Sequence, residues 1–161
     1  MHSVSAKKLC RAGIVAAMYV ALTLVCAPLA FGPVQIRPGE ALTALPLLFS
    51  ESVPALFVGC LIANLLSPYG VWDVVIGSLT TLLAAALTRL TRKKPILAMN
   101  FPVTLNAIFL PLMWKFAAGD AAFWMNFLSL FLTQAIFCYG LGLPLYFGLR
   151  KAKETARFLQ D

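Results

Sequence analysis

Charge is what this chain has least of. Its 161 residues include six acidic side chains and one histidine, against thirteen basic ones. So small a stock of acids and imidazole leaves little for general acid–base work, and Glu40 and Asp73 have no His or Lys partner in obvious reach. HExxH, GxSxG and any Cys–His or metal-ligand cluster are missing, so neither a metal nor a cofactor is expected. Without a GxxxxGK[ST] loop there is no Walker route to ATP hydrolysis, and the chain is not expected to be an enzyme. The four cysteines (Cys10, Cys26, Cys60, Cys138) show no CxxC spacing and lie in or near apolar segments. They read as buried free thiols. His2, alone near a terminus, reads as solvated. Repeats, low-complexity stretches and linkers are absent too.

What the chain does have is apolar sequence. A hydrophobic content of 61% and a mean hydropathy of +0.87 place it among integral membrane proteins. In a soluble protein a net charge of +7 would suggest nucleic acid. Here the basic residues abut apolar segments, so they mark topology and anionic lipid contact, and no nucleic-acid partner is expected. The fold class expected is an all-α bundle of six transmembrane helices in one domain, 1–161. The helices fall at about 9–31, 41–50, 53–67, 71–90, 96–116 and 122–149. Lys7, Lys8 and Arg11 before the first apolar run imitate a signal peptide. That run is too long for one and lacks a small-x-small cleavage site, so it reads as a retained helix.

The second segment is the short one. Its apolar core, 41–49, gives roughly 14 Å as α-helix, about half a hydrocarbon core. Charge decides whether it crosses. With six crossings and a cytoplasmic N-terminus, 11 of 13 basic residues lie inside: Lys7, Lys8, Arg11, Arg89, Arg92, Lys93, Lys94, Arg150, Lys151, Lys153 and Arg157. Only Arg37 and Lys115 lie outside. If 41–49 did not cross, most of these charges would flip, against the positive-inside rule. Both termini of this cell-membrane protein are therefore placed in the cytoplasm. The short helix must then be helped, either by the 32–40 loop dipping inward or by extension through Ser50 and Glu51. Irregular backbone at that depth is tolerated only where it lines a cavity or is buried in protein.

Polar residues gather near the external side. Gln35, Arg37 and Glu40 fall within Gly32–Ala41, Asn64 and Ser67 end the third helix, and Asp73 opens the fourth. Asn106 and Gln134 lie midway along the fifth and sixth. Polar groups in a membrane are costly unless they pair, line a cavity or bind something. Some of these could be interhelical glue or a helix cap, but together they exceed what adhesion requires. Trp72, Trp114 and Trp124 map to external helix ends, either as belt anchors or as stacking faces, and Tyr69 joins them. Gly140, Gly142 and Pro144 predict a kink in the last helix. Ala12/Ala16, Gly13/Ala17 and Ala17/Ala21 are small-xxx-small pairs that smooth the first helix for another to approach. Gly77, Thr81 and Ala85 form a lesser ladder.

Two blocks then carry a resemblance. The run Gln35-Ile36-Arg37-x-x-Glu40-Ala41-Leu42 is one. The other is Ile62-Ala63-Asn64-Leu65-x-Ser67-Pro68-x-Gly70-x-x-Asp73, followed by Gly77-x-Leu79-x-Thr81-Leu82. Together they resemble the QueT family of queuosine-precursor transporters, the substrate-binding S components of energy-coupling factor (ECF) importers. Gly39 departs from the Ser that the family pattern has before the glutamate. The resemblance implies capture of a 7-deazaguanine base from outside, with docking on a transmembrane coupling subunit powered by two cytoplasmic ATPases. It implies a substrate site drawn from Gln35, Arg37, Glu40, Asn64, Ser67, Trp72, Asp73, Asn106 and Trp114, and a docking face of Ala12, Ala16, Ala17 and Ala21. The rival readings are an S component for another vitamin-like solute, a stand-alone facilitator, a membrane enzyme and an assembly scaffold.

Overall fold

The computed structural model describes residues 5–31, 34–117 and 119–158, the last three by backbone alone. His2, the Gly32-Pro33 start of the polar stretch, and the side chain of Arg157 lie outside that description. The described residues are helical, without a strand. In order come α1 (Ala6–Val25), α2 (Ala27–Ala30), a 3₁₀ helix (Pro38–Leu47), α3 (Ser52–Asn64) and a π-turn (Asp73–Gly77) running into α4 (Ser78–Leu90). Then follow α5 (Pro95–Ala98), α6 (Asn100–Ala117), α7 (Phe123–Ala135), a π-segment (Ile136–Gly142) and α8 (Leu143–Phe158). Among the described residues, four continuous stretches are long and apolar enough to cross a membrane: Ala6–Val25, Asp73–Leu90, Pro95–Ala117 and Phe123–Thr155. Large apolar side chains such as Val25, Phe116 and Trp124 are more than three-quarters exposed, the surface expected against lipid rather than water.

The second segment is neither the expected α-helix nor an extension through Ser50 and Glu51. It is a ten-residue 3₁₀ helix in which every residue from Gly39 to Leu47 is buried. Local chemistry explains the tighter winding. Pro46 has no N–H to donate to the carbonyl four residues back, and Pro38 sets φ at the start. Thr43 Oγ1 bonds the Glu40 carbonyl at 2.6 Å, three residues back. A 3₁₀ helix rises about 2.0 Å per residue, so ten residues reach roughly 20 Å rather than 15 Å. This segment is the hub of the bundle. Leu42 and Leu45 pack with Tyr19, Leu56 and Ala85, while Ala44 and Leu47 pack with Met99, Val103 and Cys138.

Glycine allows two close approaches. A Cβ at Gly59 on α3 would stand 2.9 Å from the Ala16 carbonyl on α1. One at Gly142 would stand 3.0 Å from the Ala41 carbonyl of the hub. The expected irregularity in the last helix is therefore a π-segment seated against the 3₁₀ helix. Beyond it α8 stays helical to Phe158, past the expected end at 149. The first helix breaks at Cys26, before Pro28, instead of running to 31. The third ends at Asn64 instead of 67, and Gly70 with φ +58° turns the chain toward α4.

The N-terminal part of α1 and the C-terminal part of α8 lie at one end of the bundle. Arg11 and Lys153 both lie over the Phe49 ring. Arg11 pairs with Glu51. Arg89 donates to the Pro46 and Leu47 carbonyls at 3.0 and 3.4 Å, covering the 3₁₀ C-terminus.

The cysteine expectation needs correcting. All four are free, but only Cys60 and Cys138 are buried; Cys10 is exposed and Cys26 partly so. Cys10 and Cys26 sit at the N-terminal turn and just past the C-terminal end of α1, away from its buried stripe of Val15, Tyr19 and Thr23.

Candidate functional site

Burying an ionised group is costly unless it is paired. Three lie together at the other end of the bundle: Arg37, Glu40 and Asp73, none more than 2% exposed. Arg37 fixes the loop before the hub. Its Nε donates to the Ala30 carbonyl at 2.9 Å and its Nη2 to Asn64 Oδ1 at 2.8 Å. Its guanidinium also lies 4.9 Å from the centroid of Phe31. Asn64 completes a bridge, its Nδ2 donating to the Asp73 carbonyl at 2.9 Å. That carbonyl belongs to the π-turn, where widened backbone leaves groups free for side chains, as π-bulges at functional sites do.

Asp73 does not cap α4. Its carboxylate is wholly buried and bonds no backbone N–H among the described residues. Arg37 Nη2 stands 3.8 Å from Asp73 Oδ2, within ion-pair range but too far to hydrogen-bond. Both Asp73 oxygens lack a donor among the described residues. Glu40 is better supplied. Tyr19 Oη donates to its Oε1 at 2.6 Å, and Asn106 Nδ2 reaches its Oε2 at 3.4 Å.

Further buried polar atoms lack partners among the described residues: both amide atoms of Gln35, Trp114 Nε1, and the hydroxyls of Thr23, Ser52 and Ser78. Such orphans are uncommon and call for an explanation. Trp114 is wholly buried and stacks on Tyr69, ring centroids 5.2 Å apart at 24°. It is no belt anchor, whereas Trp124 is largely exposed.

The structure thus links Arg37, Asn64 and Asp73 in one network and Glu40 with Asn106 in another, with Gln35 beside Arg37 in the chain. Ser67 is buried but caps its own turn, accepting from the Tyr69 N–H at 3.2 Å. Trp72 is 57% exposed and faces an apolar groove with Ile76, Phe109 and Phe116, outside the network. Gln134 is buried beside Cys138. On α1, Ala12 and Ala16 pack partly against the bundle, while Gly13, Ala17 and Ala21 face outward.

Tyr19 is the residue that the apolar pattern hid. It stands in a run read as membrane span and small-residue face. The legible signal was its stripe: Val15, Tyr19 and Thr23 recur every four residues, placing a phenol and a hydroxyl on one buried face. Cys60 was equally silent, though Thr81 Oγ1 and Asn64 Nδ2 both bond its sulfur, at 3.3 and 3.4 Å.

The sequence model described as "QueT transporter" matches residues 9–151. A curated relative, "Queuosine precursor transporter QueT" of Lactococcus lactis subsp. cremoris (strain MG1363), is 38% identical over 76 residues. The matched stretch covers 46% of this chain and 44% of that relative, less than half of either. No solved structure matches.

Proposed function

The chain belongs to the QueT transporter family and is a multi-pass membrane protein; from that premise we propose that it captures a queuosine precursor outside the cell and delivers it for import as an ECF S component. The observation that carries this reading is the set of buried polar atoms awaiting partners: the Asp73 carboxylate, the Gln35 amide and the Trp114 indole N–H. A 7-deazaguanine offers N–H and NH₂ donors on one edge, carbonyl and ring acceptors on another, and a flat face. Glu40 or Asp73 takes the donor edge. Gln35, Asn64, Asn106 or Arg37 serves the acceptors, and Trp114 supplies a stacking face and a donor.

Charge favours one member of that class. Two carboxylates face one guanidinium in this buried group. An aminomethyl ammonium would balance the remaining negative charge, which a cyano group would not.

In this reading the chain crosses the membrane six times as one domain with both termini in the cytoplasm, and the 3₁₀ hub is the short second crossing. The meeting of Arg11, Arg89 and Lys153 at one end supports it through the positive-inside rule. The outward stripe of Gly13, Ala17 and Ala21 is the docking face for a coupling subunit, and ATP is hydrolysed by separate partners. Ala12 and Ala16 contribute by letting α1 lie close on α3.

Calorimetric titration of the detergent-solubilised protein tests the reading, using 7-aminomethyl- and 7-cyano-7-deazaguanine with guanine and riboflavin as controls. Tight one-to-one binding of a deazaguanine is expected, the aminomethyl form binding better. Unchanged affinity in both Glu40→Gln and Asp73→Asn would remove the carboxylates from the site.

A further inference from the structure

The opposite end of the bundle holds a second feature, which transport of a base does not use. α1 and α8 leave a groove between them, walled by Ile14, Met18, Leu145 and Leu149 and floored by Leu42 and Leu45 of the hub. It is apolar along its length and ends at Arg11 and Phe49. There the Arg11 guanidinium lies 4.3 Å from the Phe49 centroid, and Lys153 Nζ lies 5.8 Å from the same point. Arg11 gives only Nη1 to Glu51, so its other N–H groups have no partner among the described residues. Lys153 has neither a hydrogen bond nor an ion pair among them. Lys7 and Lys8, about one turn before Arg11, are exposed.

We infer that this groove is a binding site for one anionic glycerophospholipid, an acyl chain lying along it and the phosphodiester held between Arg11 and Lys153. The reasoning is charge complementarity joined to shape. Lipid tails gain nothing from leaving other tails for a leucine surface, so the groove alone selects no headgroup. Two cations fixed on one aromatic ring at its mouth do select, because each cation near the membrane surface favours an anionic lipid by about fivefold. Glu51 serves here as a positioning residue: it holds Arg11 at the mouth while leaving most of the guanidinium fork free for phosphate oxygens.

Native mass spectrometry of the delipidated full chain tests this, with equimolar dioleoylphosphatidylglycerol and dioleoylphosphatidylcholine. One phosphatidylglycerol should be retained at least about fivefold over phosphatidylcholine. Lys153→Gln, at an exposed position, should lower that preference by about fivefold. Ile14→Trp fills the groove without altering charge and should remove the tight adduct. Glycerophosphoglycerol, which has the headgroup but no tails, should not compete. Equal retention of the two lipids overturns the inference. So does a preference that survives Ile14→Trp, which would mean diffuse attraction to the basic end. The absence of any adduct until a coupling subunit is added would assign the groove to that protein instead.

Discussion

Gly77→Ala is expected to damage the candidate site while adding only one methyl group. A Cβ at Gly77 would stand 2.8 Å from both Asn64 Nδ2 and Asp73 Oδ1. Ordinary contact begins near 3.4 Å, so each atom must retreat by about 0.6 Å in a close-packed interior. Neither can do so freely. Asn64 is held by Arg37 at 2.8 Å and by the Asp73 carbonyl at 2.9 Å, and Asp73 sits in the π-turn that Gly77 closes. Overpacking of this kind costs about 1–3 kcal/mol. A hydrogen bond to a charged group is worth about 1.5–3 kcal/mol, so displacing the Asn64–Arg37–Asp73 arrangement should weaken deazaguanine binding by about 10- to 150-fold. Gly140→Ala is the control, since a Cβ there meets nothing within 4 Å. In a helical setting that change should stabilise by about 0.5–1 kcal/mol. The two variants should move thermal unfolding in detergent in opposite directions, and only Gly77→Ala should lose affinity by calorimetry. Equal melting temperatures and affinities for the two would refute the close-contact argument.

Tyr19→Phe removes the better donor to Glu40 and should destabilise the protein by about 1.5–3 kcal/mol, read as a lower melting temperature. Trp114→Phe should lower that temperature through the cavity left by a wholly buried, stacked indole rather than through a lost hydrogen bond, and weaken ligand binding by about 3- to 10-fold. Partial burial tends to raise the Glu51 carboxyl, but a backbone donor and the Arg11 guanidinium outweigh it and hold the group below its usual range. Stability from this pair is therefore present above roughly pH 4.3 and lost as pH falls through the lower folded value; melting scans from about pH 6 to 3 should show a drop that Glu51→Gln lacks. Ala17→Trp on the outward face of α1 should leave calorimetric binding intact while abolishing uptake by cells; retained uptake would move the docking face elsewhere.

Much of this protein was readable from residue order because a bilayer is a simple solvent. Long apolar runs must become helices there, since every backbone polar group has to be satisfied internally. Gln35, Arg37, Glu40, Asn64 and Asp73 stood out because polar groups are rare and costly in such a chain. The shape of the second segment was not readable. Winding as 3₁₀ rather than α was decided by Pro46, by Thr43 bonding back, and by neighbours burying all of Gly39–Leu47. The inward turn of the Asp73 carboxylate depends on a π-turn that no local periodicity signals. Tyr19 joined Glu40 only when α1 was laid against the hub, 21 residues apart in the chain. Composition and periodicity determined that this is a helical membrane protein with a polar cluster, because those properties depend on solvent and spacing. Which polar atoms pair and which are left waiting was decided by tertiary structure, because hydrogen bonds require positions accurate to a few tenths of an ångström.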